Sequence, residues 1–415
     1  MRRKTRLEVT TLLGSVTLVN LSYTVLIPFV PYYQDEVGAS PVEIGLMFAL
    51  FAAAKALCQP LGGWLVDRSD ARVVVLAGEL LVALSVVGFA LSDTVAALLL
   101  TRIAWGAGEG LITPALLRCA TAIDGVPPGR VMGWFGTAAV TGLLIGPIIA
   151  GLAGAGGPLP VFLGGAAGVV LAAGVSYACL PRTRAVELAT PAMAPAVTVG
   201  PAAAVTSRSR APWVHLAIVF GVIDLVTNAL YSSLEPTLPL YLGSGGTGRD
   251  AVGLVFAGGL AAFGVVSWLL GRRTEAVPAT TLIRTGLLIG VVAFCALALD
   301  NRLGFVAVAF VAIMVSQAML YIGARRGITD RQLAGAVQGR CFGVFGAISD
   351  IGNVAGPIMG ALVYSHAGGQ AAPLAAAALA GATWVALRLG WLGAGPPVSP
   401  PALSAVLRPG AGSRS

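Results

Sequence analysis

Charge is scarce in this chain. Of 415 residues, 11% are Asp, Glu, Lys or Arg and 57% are hydrophobic, whereas an ordinary globular domain is about a quarter charged. A water-soluble fold of this length would expose large apolar patches; a lipid-facing exterior removes the problem. Histidine is nearly missing as well. His215 and His366 are the two present, too few for a histidine-built metal centre. Cys58, Cys119, Cys179, Cys295 and Cys341 form no CxxC pair and no disulfide framework, and they read as inert thiols in or beside apolar runs. No cofactor and no metal are expected. The formal charge of +8 raises nucleic acid as a partner, but the arginines are spread between apolar runs instead of forming a patch or stripe. That argues against it.

Long apolar runs are what the chain has in plenty. About 20 mostly apolar residues suffice for a helix to cross the hydrocarbon. Twelve such windows lie near 10–32, 43–66, 72–92, 94–117, 131–153, 160–180, 213–242, 251–270, 278–300, 302–324, 340–364 and 372–392. The opening MRRKTR and the apolar stretch from Leu7 to Pro31 exceed a signal peptide in length and lack its cleavage site, so they read as an uncleaved first span. Alternate loops carry the basic residues: Arg2, Arg3, Lys4 and Arg6, then Arg68 and Arg72, Arg130, Arg182 to Arg210, Arg272 and Arg273, and Arg325, Arg326 and Arg331. The opposite loops hold Asp35, Glu36, Asp93, Asp250 and Asp300, with Arg249 and Arg302. The positive-inside rule puts both termini in the cytoplasm of an inner-membrane protein. Residues 181–212, rich in Ala, Pro, Thr and Val, read as a cytoplasmic linker between two six-span halves, 1–180 and 213–393. Residues 394–415 read as a disordered cytoplasmic tail.

The halves repeat each other. NLSYTVLIPFVPYY from Asn20 aligns with NALYSSLEPTLPLY from Asn228, an offset of 208 that pairs Tyr23 with Tyr231, Pro28 with Pro236 and Pro31 with Pro239. At an offset of 210, Arg130, Gly133, Gly136, Gly142, Gly146 and Pro147 match Arg340, Gly343, Gly346, Gly352, Gly356 and Pro357. Six spans per repeat is even, so the halves point the same way. They would be related by an axis along the membrane normal, with a solute site between them near mid-membrane.

Six ionisable residues fall inside the spans: Lys55, Arg102, Glu109, Asp224, Glu235 and Asp350. Each costs about 2.5–3.5 kcal/mol at a helix centre, so they must pair, face water or lie near the interface. Helical spacing puts Asp224, Asn228, Tyr231 and Glu235 on one stripe of the seventh span, and Lys55 with Gln59 on a face of the second. It also groups Arg102 with Glu109, Asp350 with Asn353, and Gln317 with Tyr321. These stripes, with Asn20 and Tyr23, outline a substrate cavity. Glu235 sits where it either reaches headgroups or serves the cavity; Asp224 and Glu109 lie deeper and point to function. GAGEG at 106–110 and GSGGTG at 243–248 follow no strand and no GK[ST] is present, which excludes a phosphate loop.

At this point the residues resemble a family. GGWLVDRSDAR, from Gly62 to Arg72, resembles the loop motif of the major facilitator superfamily: Gly63, Asp67, Arg68 and Arg72 match, while Asp70 and Ala71 replace the usual glycine and basic residue. RIAWGAGEG from Arg102 is similar to its fourth-span motif, and GLLIGPIIAG from Gly142, with Gly146 and Pro147, to the antiporter motif of the fifth. FAAAKALCQPLGG, LEPTLP and AISDIGNVAGP, around Lys55, Glu235 and Asp350, resemble the drug:proton antiporters and the related vesicular amine transporters. Asn20 and Ser316 stand where the amine transporters have acids, which speaks against an aromatic-amine substrate.

The resemblance implies an all-α membrane protein of twelve transmembrane helices in two six-helix pseudo-repeats, the major facilitator fold. It implies a Lys55–Asp350 charge pair, either static or titrating, and a cytoplasmic gate of Asp67, Arg68 and Arg118. Gly146, Pro147, Gly356 and Pro357 would serve as hinges. The expected function is proton-coupled antiport of a small amphiphilic molecule by alternating access, by a monomer, with substrate, protons and the bilayer as partners and no enzyme activity. A proton symporter for uptake and a non-transporting membrane sensor are the alternatives.

Overall fold

The computed structural model describes residues 3–153, 157–183, 212–272, 277–329 and 335–390. Twelve of its helical segments are long and apolar enough to cross a membrane. The first crossing is broken: α1 (Arg3–Thr24) passes through a 3-10 turn (Ile27–Phe29) into α2 (Val30–Glu36). Pro28 and Pro31 lack the N–H that would continue the ladder. The others are α3 (Pro41–Arg68), α4 (Ala71–Ala90), α5 (Val95–Thr121), α6 (Pro128–Ala153), α7 (Pro158–Cys179), α8 (Pro212–Ser244), α9 (Arg249–Arg272), α10 (Ala279–Leu297), α11 (Leu303–Thr329), α12 (Gly335–Ala367) and α13 (Ala371–Arg388). The expected linker at 181–212 lies outside the described residues save for 181–183 and 212, and the tail from 394 lies wholly outside them.

Polar residues set the helix starts. Ser40 and Glu43 form a reciprocal capping box on α3, which satisfies two orphan N–H groups at once. Thr94 caps α5 by accepting from the Ala97 amide at 3.3 Å, so four residues suffice between α4 and α5. The face that carries the start of α1, Arg68 and Arg118 is the basic face. The opposite face, with Asp35, Glu36, Asp93, Asp250 and Asp300, is the acidic face.

The sequence repeat is also a packing repeat. Helix α6 lies against α1 through Gly142 and Gly146, and α12 lies against α8 through Gly352 and Gly356. A Cβ on Gly146 would strike the Thr24 hydroxyl and lie 2.7 Å from the Leu21 carbonyl oxygen. A Cβ on Gly356 would strike the Ser232 hydroxyl and lie 2.6 Å from the Ala229 carbonyl oxygen. Thr24 and Ser232 are themselves related by the offset of 208. Small residues are what allow membrane helices to approach this closely.

Between the halves the contacts are again paired. On α3, a Cβ at Gly45 would sit 2.6 Å from the Pro357 carbonyl oxygen of α12. On α9, a Cβ at Gly253 would collide with the Pro147 carbonyl of α6. Both crossings lie toward the acidic face. There Gly151 also meets the Asp250 backbone, and the Arg249 guanidinium lies 5.5 Å over the Tyr32 ring. Toward the basic face, Trp64, Asp67, Arg68 and Arg118 are exposed.

Larger side chains at the crossings should pry the acidic face open. Overpacking costs about 1–3 kcal/mol, roughly a fivefold to hundredfold shift between two packings. In a cysteine-free background, an Ala52→Cys thiol on the inner wall of α3 should react faster with an impermeant maleimide from the acidic side once Gly45→Val or Gly253→Val is added. Unchanged labelling of both folded variants would contradict the crossings' role.

Candidate functional site

Between the halves, at the depth of Lys55 and Asp350, lies a cavity of about 300 Å³, the lower end of the range for small-molecule sites. Its walls come from both repeats: Asn20 and Tyr23 of α1, Phe51, Lys55 and Gln59 of α3, Glu109 of α5, Tyr231 and Glu235 of α8, and Asp350 and Asn353 of α12. Three carboxylates thus face one ammonium, with three aromatic rings among them.

The pairing differs from the one the resemblance implied. Lys55 Nζ donates to Glu109 Oε2 at 2.8 Å; its direct ion partner is Glu109, not Asp350. Helices α3 and α5 belong to one half, so the bridge is intramural and holds Lys55 to its own wall. Asp350 faces it from α12, with Asn353 one turn on along the same wall. Glu235 does not reach headgroups: it is 3% exposed, and the Tyr23 hydroxyl of the other half donates to its Oε2 at 2.7 Å. Tyr231, the repeat mate of Tyr23, stands one helical turn before Glu235 on α8 and lines the same cavity.

Arg102 and Glu109 share a helix but not a partner. The Arg102 side chain is fully buried, with Nε donating to the Met47 carbonyl at 3.1 Å. Its guanidinium is stacked among Phe51 at 4.4 Å, Trp105 at 4.9 Å, Tyr23 at 5.4 Å and Phe48 at 5.5 Å. Such faces attract a desolvated cation. Arg102 therefore stands behind the cavity wall, supporting the Tyr23 ring, and is not part of the lining.

The lower part of the α8 stripe is also turned away. Asp224 is bound by Arg325 of α11 through two guanidinium nitrogens at 2.8 and 3.3 Å. Asn228 reaches Asp224 at 3.4 Å and the Ser349 carbonyl at 3.3 Å. Neither lines the cavity, and Gln317, buried inside the C-terminal half, does not either.

The loop motif splits. Asp67 and Arg68 are exposed and, among the described residues, neither they nor Arg118 forms an ion pair; Arg68 stacks on Trp64 at 4.0 Å. Arg72 is held instead by Asp70, which replaces the usual glycine: Nη2 to Oδ2 is 2.8 Å. Partial burial pushes the Asp70 carboxyl up, but the Arg72 and Thr183 hydrogen bonds hold it below the ordinary carboxylate range. Asp70 is thus the N-cap of α4, accepting from the Arg72 amide at 3.1 Å, and it holds the Arg72 side chain in the first turn of that helix. Gly63 faces open space, whereas its neighbour Gly62 packs on Gly110 and Pro114 of α5.

Three residues escaped sequence reasoning. Glu79 of α4, fully buried, accepts a hydrogen bond from Ser15 of α1; it carried the same signal as the other six, an ionisable residue in an apolar run. Arg325 lies one residue beyond the window that ended at 324. Phe51 looked like any apolar residue.

Removing one member of the Lys55–Glu109 bridge should cost more than removing both, because the survivor stays in a poorly solvated site. Glu109→Ala should lose about 1–3 kcal/mol, and Lys55→Met with Glu109→Leu should recover most of it. Thermal unfolding in detergent reads both. A double variant less stable than the single one would refute the pairing.

The family model Major Facilitator Superfamily matches residues 12–339. Multidrug resistance protein MdtG of Proteus mirabilis is 28% identical over 374 residues, covering 85% of this chain and 88% of that protein. Multidrug resistance protein 1 of Bacillus subtilis is 26% identical over 381 residues, covering 87% and 90%. In fold the chain is similar to the nucleoside transporter NupG, with a TM-score of 0.75 at 12% identity over 94% and 99% of the two chains. A bacterial homologue of the human lysosomal transporter Spinster, in an inward-facing and unoccupied conformation, gives 0.72 at 16% identity over 94% of each. A twelve-helix bundle in two packed repeats, a cavity between them, and a family match over most of the chain lead to one conclusion: this integral membrane protein belongs to the major facilitator superfamily of transporters.

Proposed function

We propose that this chain is a proton-driven antiporter that exports an amphiphilic, positively charged small molecule across the cytoplasmic membrane. The observation that carries the reading is the cavity itself: Glu109, Glu235 and Asp350 against the single cation Lys55, with Tyr23, Phe51 and Tyr231 alongside. Lys55 neutralises Glu109, which leaves two carboxylates for protons or for a cation. Aromatic faces add attraction for a desolvated cation and an apolar surface for its body. The similarity to proteins named for multidrug resistance, over 85% or more of the chain, supports efflux.

The loop charges support a cytoplasmic basic face and cytoplasmic termini. An exporter loads from that side. Glu235 and Asp350 release protons to water there, and a cation takes their place. The halves rock about the two glycine crossings, and protons arriving from outside displace the cargo. Exchange of one proton for one monovalent cation moves no net charge, so the pH difference drives it: each pH unit supplies about 1.4 kcal/mol and sustains roughly a tenfold gradient. One chain encloses the whole cavity, so a monomer suffices.

The test uses purified protein in liposomes with an internal pH dye, an imposed pH gradient and a panel of lipophilic cations. Proton flux evoked by a compound moving the opposite way is expected, falling at least tenfold in Glu235→Gln and in Asp350→Asn. Movement of both in the same direction would replace export with symport.

A further inference from the structure

Tyr23 and Tyr231 occupy equivalent places in the two repeats, yet both serve a single carboxylate. The position that mirrors Glu235 in the first half is Ile27, so there is no second acid for them to share. Tyr231 lies one helical turn from Glu235 on the same helix. Tyr23 comes from the opposite half and crosses the gap to reach it at 2.7 Å. The hydrogen bond lies on the acidic side of the cavity, between the bound-solute space and the glycine crossings. Opening the acidic face must break it.

The ring of Tyr23 has little freedom. Phe51 packs on it at 4.7 Å, Phe48 meets it edge-on at 6.4 Å, and the Arg102 guanidinium lies 5.4 Å over it. The groups that face Glu235 are Tyr23 from α1, Tyr231 from α8 and Arg102 from α5. Across the cavity stand Lys55 of α3, Glu109 of α5 and Asp350 of α12. Among the described residues none of the cations forms an ion pair with Glu235, since Lys55 is taken by Glu109. The Tyr23 hydroxyl is its donor from across the gap.

We infer that Tyr23 is a coupling residue: its hydrogen bond to Glu235 locks the empty, unprotonated carrier shut at the acidic face. The lock opens only when a proton or a cationic substrate occupies Glu235. The inference rests on the antiport reading above. An exchanger whose empty form crosses freely lets its substrate run downhill without a proton. A hydrogen bond to an ionised carboxylate is about twice as strong as one to a neutral group. Losing it in a dry site disfavours opening by roughly tenfold to a hundredfold. A proton on Glu235 removes the charge, and a bound ammonium competes for the same oxygen, so either ligand weakens the lock. The empty ionised state alone keeps it whole.

The experiment compares wild type, Tyr23→Phe and Tyr231→Phe in liposomes, with ethidium as the probe cation. It reads protons counter-moved per ethidium moved, alongside ethidium–ethidium counterflow. Wild type should hold a fixed ratio. Tyr23→Phe keeps the ring; whatever its effect on counterflow rate, its ratio should fall at least fivefold as ethidium slips through uncoupled. Tyr231→Phe, which breaks no bond between the halves, should slow transport and keep the ratio. A wild-type ratio in Tyr23→Phe overturns the lock and leaves antiport standing; no proton movement in wild type overturns antiport itself. Should Tyr23→Phe fail to fold, wild type carrying Ala52→Cys decides. Labelling from the acidic side of the empty carrier should rise as pH falls, and labelling indifferent to pH would overturn the proposal.

Discussion

At two places in this protein a helix of one half lies so close to a helix of the other that only hydrogen fits between backbones. Gly45 meets the Pro357 carbonyl, and Gly253 meets the Pro147 carbonyl. The two crossings are images of each other in the sequence repeat and stand toward the same face. Everything else about the site follows from them. They bring α1 close enough to α8 for Tyr23 to reach Glu235. A cavity closed off toward the acidic face is the geometric result. Dry packing against carbonyls is also bistable, since each backbone contact is either made or broken, which suits alternating access better than gradual deformation.

The charges divide by the same geometry. Ions that belong to one half find partners inside it: Lys55 with Glu109, Asp224 with Arg325. Arg102 is solvated by ring faces, and Glu79 by the Ser15 hydroxyl. The insertion cost of these groups is thereby offset within each rigid body, and it does not change as the bodies move. Glu235 and Asp350 are the exceptions. They face the gap beside neutral side chains, the Tyr23 hydroxyl that donates to Glu235 and Asn353 near Asp350, and their surroundings change when the halves separate. Those are the groups whose proton affinity can differ between the two packings.

Much of the fold was legible in the sequence because a bilayer imposes length and composition on every span. The windows, the alternation of loop arginines and the paired Gly–Pro motifs are local features, and the helices lie where they point. The site was legible only in part. Spacing of three and four residues states which side chains share a face, and so Tyr231 with Glu235, and Asp350 with Asn353, stand together. It does not state how a helix is rotated against its neighbours. Asn228 and Asp224 carry the right spacing and turn into the C-terminal half; Gln317 does the same. The partner of Lys55 was equally hidden, because Glu109 and Asp350 are both acids at its depth and the choice between them is set by helix packing. Asp70 illustrates a smaller gap: one departure from a familiar motif supplies the N-cap of α4 and gives Arg72 an ion partner two residues away.

The central claim is that the halves pivot about the glycine crossings, so that one face closes as the other opens. Spin-label distances at both faces of one preparation test it most directly, with one pair at Glu36 and Ser244 on the acidic face and another at Arg68 and Arg326 on the basic face. As pH is lowered in the absence of substrate, the acidic-face distance should lengthen and the basic-face distance shorten within the same sample. Distances that lengthen together, or an acidic-face change with the basic face still, would contradict the pivot.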